Sequence, residues 1–156
     1  MSSRGRALFV DFGGTLCVLE ARRTAVDAEG NPILRAHVAD TLARVRPRFQ
    51  ACFIVSNQAR IGKGEITRAE VLRRFAWIND RLGRPFTDWR LCPHGDGDAC
   101  GCRKPRPGMF LELASEYAID LGASEHVGDS DKDCAAAAAA GIPTFHWAWD
   151  FFRPTV

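Results

Sequence analysis

Ala7-Leu8-Phe9-Val10-Asp11-Phe12-Gly13-Gly14-Thr15-Leu16 is the stretch from which the rest of the chain reads. Ala7 to Phe12 is a short run of apolar residues interrupted only by Asp11, without the alternation that a half-exposed strand shows. Such a run suits a strand buried on both faces, as in a parallel sheet. The carboxylate at its end is followed by paired glycines, which let the backbone come close to a ligand. Ala51 to Val55 is a second run of the same kind, ending in Ser56-Asn57. Between the two, Ile33, Leu34, Val38, Leu42 and Val45 recur at helical spacing and Pro47 closes the segment, which predicts a strand-helix-strand unit.

Outward from that unit the alternation continues. Thr67 can cap a helix with Glu70 three places on, and Val71, Leu72, Phe75, Ile78 and Leu82 give it an apolar face. Trp89 to Leu91 reads as a strand, and Pro107 opens a helix through Tyr117. His126-Val127 leads into Gly128-Asp129, Asp131 to Ala140 is a helix stopped by Gly141, and Thr144 to Trp147 is a last strand. The expected architecture is therefore α/β, a three-layer Rossmann-like fold on a mostly parallel sheet of about five strands. Open sheets of this kind bind ligands at the carboxyl ends of their strands. Asp11, Ser56 and Asp129 each follow a strand and should meet there.

The chain has 156 residues, which suits one domain over 1–156. At 46% hydrophobic and 26% charged residues the composition is that of a compact globular protein. A formal net charge of +2 excludes a strongly basic nucleic-acid binder, though not a local basic patch. No apolar stretch approaches the roughly 18 residues that a membrane span needs, so no membrane partner and a cytoplasmic location are expected. Of six cysteines, Cys92, Cys100 and Cys102 lie close together beside His94. Three thiolates and an imidazole make a closed tetrahedral set suited to structural zinc, in a loop over 92–102 that has few apolar residues of its own. Cys17, Cys52 and Cys134 are expected to be buried thiols.

Taken in order, Asp11-Phe12-Gly13-Gly14-Thr15, Ser56-Asn57-Gln58, Lys104 within Cys102-Arg103-Lys104-Pro105, and Gly128-Asp129-Ser130-Asp131-Lys132-Asp133 resemble the four motifs of the haloacid dehalogenase (HAD) superfamily. Ser56-Asn57-Gln58 and the run from Cys100 to Met109 are most similar to the branch holding histidinol-phosphate and heptose bisphosphate phosphatases. The zinc loop before Lys104 resembles the same branch, which carries no large cap domain. The resemblance implies a phosphatase in which Asp11 forms an aspartyl-phosphate that water hydrolyses. It implies Mg²⁺ between Asp11, the carbonyl of Gly13 and Asp129, with Asp133 behind them or bound through water. Lys104 and Ser56 would hold the phosphate with the amides near Gly13 and Gly14, and Asn57 and Arg103 would contact the rest of a small phosphorylated substrate.

One position departs from the pattern. The family's first motif carries a second Asp two residues after the nucleophile, where it protonates the leaving group; here Gly13 stands there. General acid–base catalysis contributes about 10² to 10⁴ in rate. Three readings stay open: a substrate with a good leaving group, a proton from elsewhere such as Glu20 or Asp131, or a phosphate-binding pseudoenzyme. A nucleic-acid 3′-phosphatase is the alternative substrate class. The loop over 18–32 is the candidate substrate-screening segment, while Arg22-Arg23 and Arg73-Arg74 read as solvated faces. A monomer or a homodimer is compatible with this sequence.

Overall fold

The computed structural model describes residues 4–154, so the ends of the expected 1–156 domain, 1–3 and 155–156, lie outside the described residues. The chain runs through β1 (Ala7–Val10), β2 (Leu19–Glu20), β3 (Arg23–Thr24), α1 (Val38–Val45), β4 (Ala51–Asn57), α2 (Ala59–Gly62) and α3 (Arg68–Arg81). It continues through β5 (Asp88–Cys92), α4 (Gly108–Tyr117), β6 (Glu125–Gly128), α5 (Asp131–Ala140), β7 (Thr144–Trp147) and α6 (Ala148–Phe151).

Five strands form one parallel sheet in the order β5-β4-β1-β6-β7. The chain winds from β1 to β4 and β5 on one side and returns to β6 and β7 on the other, so the order reverses at β1. A crevice opens at such a reversal, beyond the carboxyl ends of β1, β4 and β6.

The period-two alternation of the strands divides the core into two layers. Leu8 and Val10 pack with Cys52, Ile54 and the apolar faces of α1 and α3, where Phe12 and Phe75 lie 4.7 Å apart. Ala7 and Phe9 face the opposite layer, against Phe53 and Phe110 at 5.3 and 5.1 Å and the small faces of α4 and α5. In α5, Ala136, Ala137 and Ala140 are buried, so the alanine run is a close-packed helix face.

Two boundaries differ from expectation. The helix expected from Ile33 begins only at Val38, because His37 takes a left-handed conformation (φ 70°) just before it. Residues 33–35 instead brace the loop after β1: Ile33 N–H donates to the Ala25 carbonyl, Arg35 N–H to Leu16, and Arg35 Nη1 to the Gly14 carbonyl at 2.6 Å. Strand β4 runs two residues past Val55, which carries Ser56 and Asn57 to the crevice on regular backbone. Cys17 and Cys52 are buried as expected, but Cys134 is exposed, since it sits on the outer face of α5.

Candidate active site

Asp11 leaves the end of β1 with its backbone N–H donating to the Val127 carbonyl of β6 at 3.0 Å. The turn that follows needs Gly14 at φ +78°, and a Cβ there would collide with the Asp129 carboxylate. Two widely separated acidic loops can therefore approach only because this residue lacks a side chain.

At the start of α5, Ser130 caps the helix in a capping box, its Oγ accepting from the N–H of Asp133 while Asp133 reaches back to the N–H of Ser130. Asp133 Oδ2 accepts from the N–H groups of Asp129 and Ser130 at 3.1 and 3.2 Å. Its Oδ1 accepts from Lys104 Nζ at 2.6 Å. Both oxygens are thus committed to protein donors, which leaves Asp133 behind the pair Asp11 and Asp129. Carboxylate oxygens of all three lie within 4.8 Å of one another.

Lys104 is 2% exposed and joins the motifs. Its Nζ donates to Asp11 Oδ1 and the Val55 carbonyl, both at 2.9 Å, as well as to Asp133. Burial by itself would lower its pKa, but the Asp11 and Asp133 carboxylates outweigh this and hold the ammonium charged above an ordinary lysine. Burial would likewise raise Asp133, yet Lys104 and the His126 ring bring it well below the usual carboxylate range. His126 is fully buried, donates from Nδ1 to the Phe9 carbonyl at 2.9 Å, and places Nε2 3.5 Å from Asp133. Asp11 goes the other way: burial, then the charge of Asp133, pushes it up to about 8 despite Lys104. Three acids face one lysine, and the excess negative charge at Asp11 and Asp129 suits a divalent cation with oxygen ligands.

Around this centre lies a cleft of about 270 Å³ that Ser56, Asn57, Arg103 and Gly13 border along with Asp11 and Lys104. Ser56 accepts from Gln58 Nε2 at 2.9 Å. Asn57 is held differently from expectation: its Oδ1 accepts from the Lys104 N–H at 2.9 Å and its Nδ2 donates to the Lys104 carbonyl at 3.1 Å. Its amide is spent on clamping Lys104, a role that the residue type alone does not reveal. Glu20 and Asp131, considered as proton sources, are not among the cleft-lining residues.

Arg22, Arg23, Arg60 and Arg74 line the cleft; Arg22 and Arg23 are solvated as expected, though on a hairpin rather than a helix, whereas Arg74 on α3 is largely covered, which corrects its reading as a solvated face. The antiparallel hairpin of β2 and β3 brings Arg22 and Arg23 over the site, within the segment singled out for substrate screening. That adjacency was the signal available for them; Arg60 and Arg74 had none.

Cys92, His94, Cys100 and Cys102 converge as their spacing suggests. Cys92 and Cys100 sulfurs are 3.8 Å apart, Cys92 and Cys102 2.9 Å, and His94 Nδ1 lies 3.3 and 3.4 Å from Cys92 and Cys102. Tetrahedral Zn–S bonds of about 2.3 Å imply edges of roughly 3.8 Å, so this soft, compact donor set fits the ion. Burial pushes the Cys92 thiol up to about 12, whereas N–H groups of Arg103 and Cys102 outweigh the burial penalty at Cys100 and bring it to about 6. The loop is tied to the cleft by Asp96, which accepts from Arg103 and Lys132 at 2.8 Å each.

A HAD-hydrolase-like family model matches residues 101–154. The D-glycero-beta-D-manno-heptose-1,7-bisphosphate 7-phosphatase of Rhodopseudomonas palustris is 40% identical over 105 residues, 61% of this chain and 58% of that protein. The enzyme of the same name from Escherichia coli O6:H1 is 32% identical over 148 residues, covering 88% of this chain and 76% of that one. The match thus spans little more than half of the first relative's length. The crystal structure of D,D-heptose 1,7-bisphosphate phosphatase from Bordetella bronchiseptica, complexed with magnesium and phosphate, superposes with a TM-score of 0.77 at 27% identity, covering 88% of this chain and 77% of that one. With four motifs meeting at the end of one parallel sheet, and that agreement along most of its length, the chain belongs to the HAD-like phosphatase family, beside the heptose bisphosphate phosphatases.

Proposed function

We propose that this chain is a phosphatase that removes a phosphoryl group from a small phosphorylated compound, of which sugar phosphates are the class its relatives suggest, through an aspartyl-phosphate on Asp11. The observation that carries this reading is the contact of Lys104 with both Asp11 and Asp133 at the carboxyl edge of the sheet. A carboxylate about 4 Å from a phosphate charge is repelled by roughly 4 kcal/mol at an effective dielectric near 20. Bound Mg²⁺, for which Asp11, Asp129 and the Gly13 carbonyl are the ligands and Asp133 an outer support, supplies positive charge that offsets this repulsion. Lys104 adds a fixed charge beside Asp11, the Ser56 hydroxyl donates to a phosphate oxygen, and Arg103 stands at the cleft wall. Asn57, clamped on Lys104, keeps its Nζ aimed at Asp11. Zinc on the four ligands of the 92–102 loop is structural, because no coordination position remains for a substrate.

A phosphate-release assay with and without Mg²⁺ tests the reading. Release should require the metal and disappear in Asp11→Asn, which keeps the shape but lacks the nucleophile. Undiminished release by that variant would remove Asp11 from the role.

A further inference from the structure

The leaving group is where this site differs from its motif. An ideal Cβ at Gly13 would lie 3.0 Å from Leu19 Cδ2 and 3.8 Å from the Thr24 hydroxyl. A side chain at this position would meet an apolar one, which would have to shift by a few tenths of an ångström, and the next residue in reach offers only a neutral hydroxyl. Apart from the carboxylates of the motifs themselves, the titratable residues lining the cleft are all cations: Arg22, Arg23, Arg60, Arg74, Arg103 and Lys132, around the buried Lys104.

Their charge is only partly compensated. Glu65 is shared by Arg23 and Arg60 at 3.8 and 3.6 Å, Glu70 is divided between Arg73 and Arg74, and Asp96 between Arg103 and Lys132. Arg22 has no carboxylate partner among the described residues. The Nε atoms of Arg60 and Arg74 face the Glu65 and Glu70 carboxylates at 3.6 and 3.5 Å without forming a hydrogen bond to them. A rim with more cations than carboxylates favours an anionic ligand that supplies further oxygens.

From these two observations we infer that the substrate is a phosphoanhydride, in which the group that departs is itself an acidic, negatively charged phosphate. This narrows the aspartyl-phosphate reading above and rests on it, while moving away from the alkyl esters named for the relatives. An Asp11 oxygen attacks the terminal phosphorus, and the bond from phosphorus to the bridging oxygen breaks. The electron pair leaves on the remaining phosphate, which needs no proton from the protein because phosphate monoesters lose their second proton near about pH 6. Arginines at the rim stabilise that departing charge in place of a general acid. Water then attacks the aspartyl-phosphate, the bond from phosphorus to Asp11 breaks, the carboxylate is restored, and both protons of the water leave on dihydrogen phosphate. A sugar ester meets the rim's demand for charge but leaves as an alkoxide, which this cleft has no acid to protonate.

The test compares kcat/KM for inorganic pyrophosphate, acetyl phosphate, p-nitrophenyl phosphate and glucose 6-phosphate, with phosphoryl-Asp11 trapped by acid quench. Glucose 6-phosphate should fall below pyrophosphate by the about 10² to 10⁴ that a general acid contributes. Gly13→Asp, alone or with Leu19→Ala to clear the space, should narrow that gap. Arg22→Gln should reduce turnover of pyrophosphate more than that of p-nitrophenyl phosphate, by about tenfold, the scale of one charge-assisted hydrogen bond. Glucose 6-phosphate within about tenfold of pyrophosphate, on the same scale, would overturn the inference and leave the phosphatase standing. Fast acetyl phosphate with slow pyrophosphate would overturn the anhydride assignment, since the rim would then ignore the leaving anion. No release from any probe, with no trapped phosphoryl group, would overturn the aspartyl-phosphate reading and this inference with it.

Discussion

Lys104 shows how much a single side chain can hold at the nearly inaccessible floor of a cleft. Its ammonium is the only cation bonded to both Asp11 and Asp133 among the described residues, and all three are nearly inaccessible. Removing one partner from a buried charge cluster costs about 3–5 kcal/mol, because the remaining charges are neither paired nor solvated. Lys104→Met should therefore lose about that much stability at neutral pH in urea denaturation and lose phosphate release as well. The deficit should shrink in acid, where both carboxylates become protonated. Equal denaturation midpoints at pH 7 would mean that the lysine does not compensate these acids. At this scale Asp11, Ser56, Lys104, Asp129 and Asp133 were legible, since each stands in one of four short motifs, three of them at the end of a strand. The clamp by Asn57 was not, because an amide beside a phosphate site serves either a ligand or a backbone equally well.

Strand β5 lies at one edge of the sheet and is secured through side chains to α4. Tyr117 donates to Asp88 Oδ2 at 2.6 Å, and Arg90 bonds Asp88, Glu112 and Glu116. Burial would raise the Asp88 carboxyl, but the Tyr117 hydroxyl, the Trp89 N–H and Arg90 outweigh it and hold the pKa below the ordinary 3.8. A depressed folded-state pKa means stability that is present above about pH 4 and is lost as the pH falls through the folded value. Asp88→Asn should cost about 1 kcal/mol at pH 7, discounted for partial exposure, and should flatten the acid limb of a stability profile below about pH 4. An unchanged acid limb would assign that sensitivity to other carboxylates. The sequence indicated the edge strand and the helix from Pro107, but not their pairing, since Asp88 and Tyr117 are distant in the chain. It also overextended α1: the apolar spacing from Ile33 was real, but those residues pair with the hairpin loop rather than with the helix.

For the molecule as a whole, a net charge of +2 conceals an uneven distribution, with carboxylates gathered at the cleft floor and arginines at its rim. Asp96 connects the cysteine loop to this rim, so ordering of the loop and positioning of Arg103 and Lys132 are coupled. Protein prepared without chelator should contain about one equivalent of zinc by elemental analysis, as a closed four-ligand site predicts. Stripping that zinc should raise KM for a phosphorylated substrate more than it lowers kcat, because the loosened groups bind substrate rather than attack it. A metal-free preparation with unaltered KM would uncouple loop and cleft. No helix among the described residues is long and apolar enough to cross a membrane.

Strand identity, the parallel sheet and the convergence of Asp11, Asp129 and Asp133 were readable from the amino-acid order, because burial on both faces and a short motif at a strand end are local properties. The cysteine and histidine set was readable for the same reason. The arginine rim, the close approach of Leu19 to position 13 and the sharing of each rim carboxylate between two cations were decided only in three dimensions. Helical and hairpin arginines look alike in a sequence, and whether such a charge faces solvent or a cleft depends on how separate elements pack around the end of the sheet.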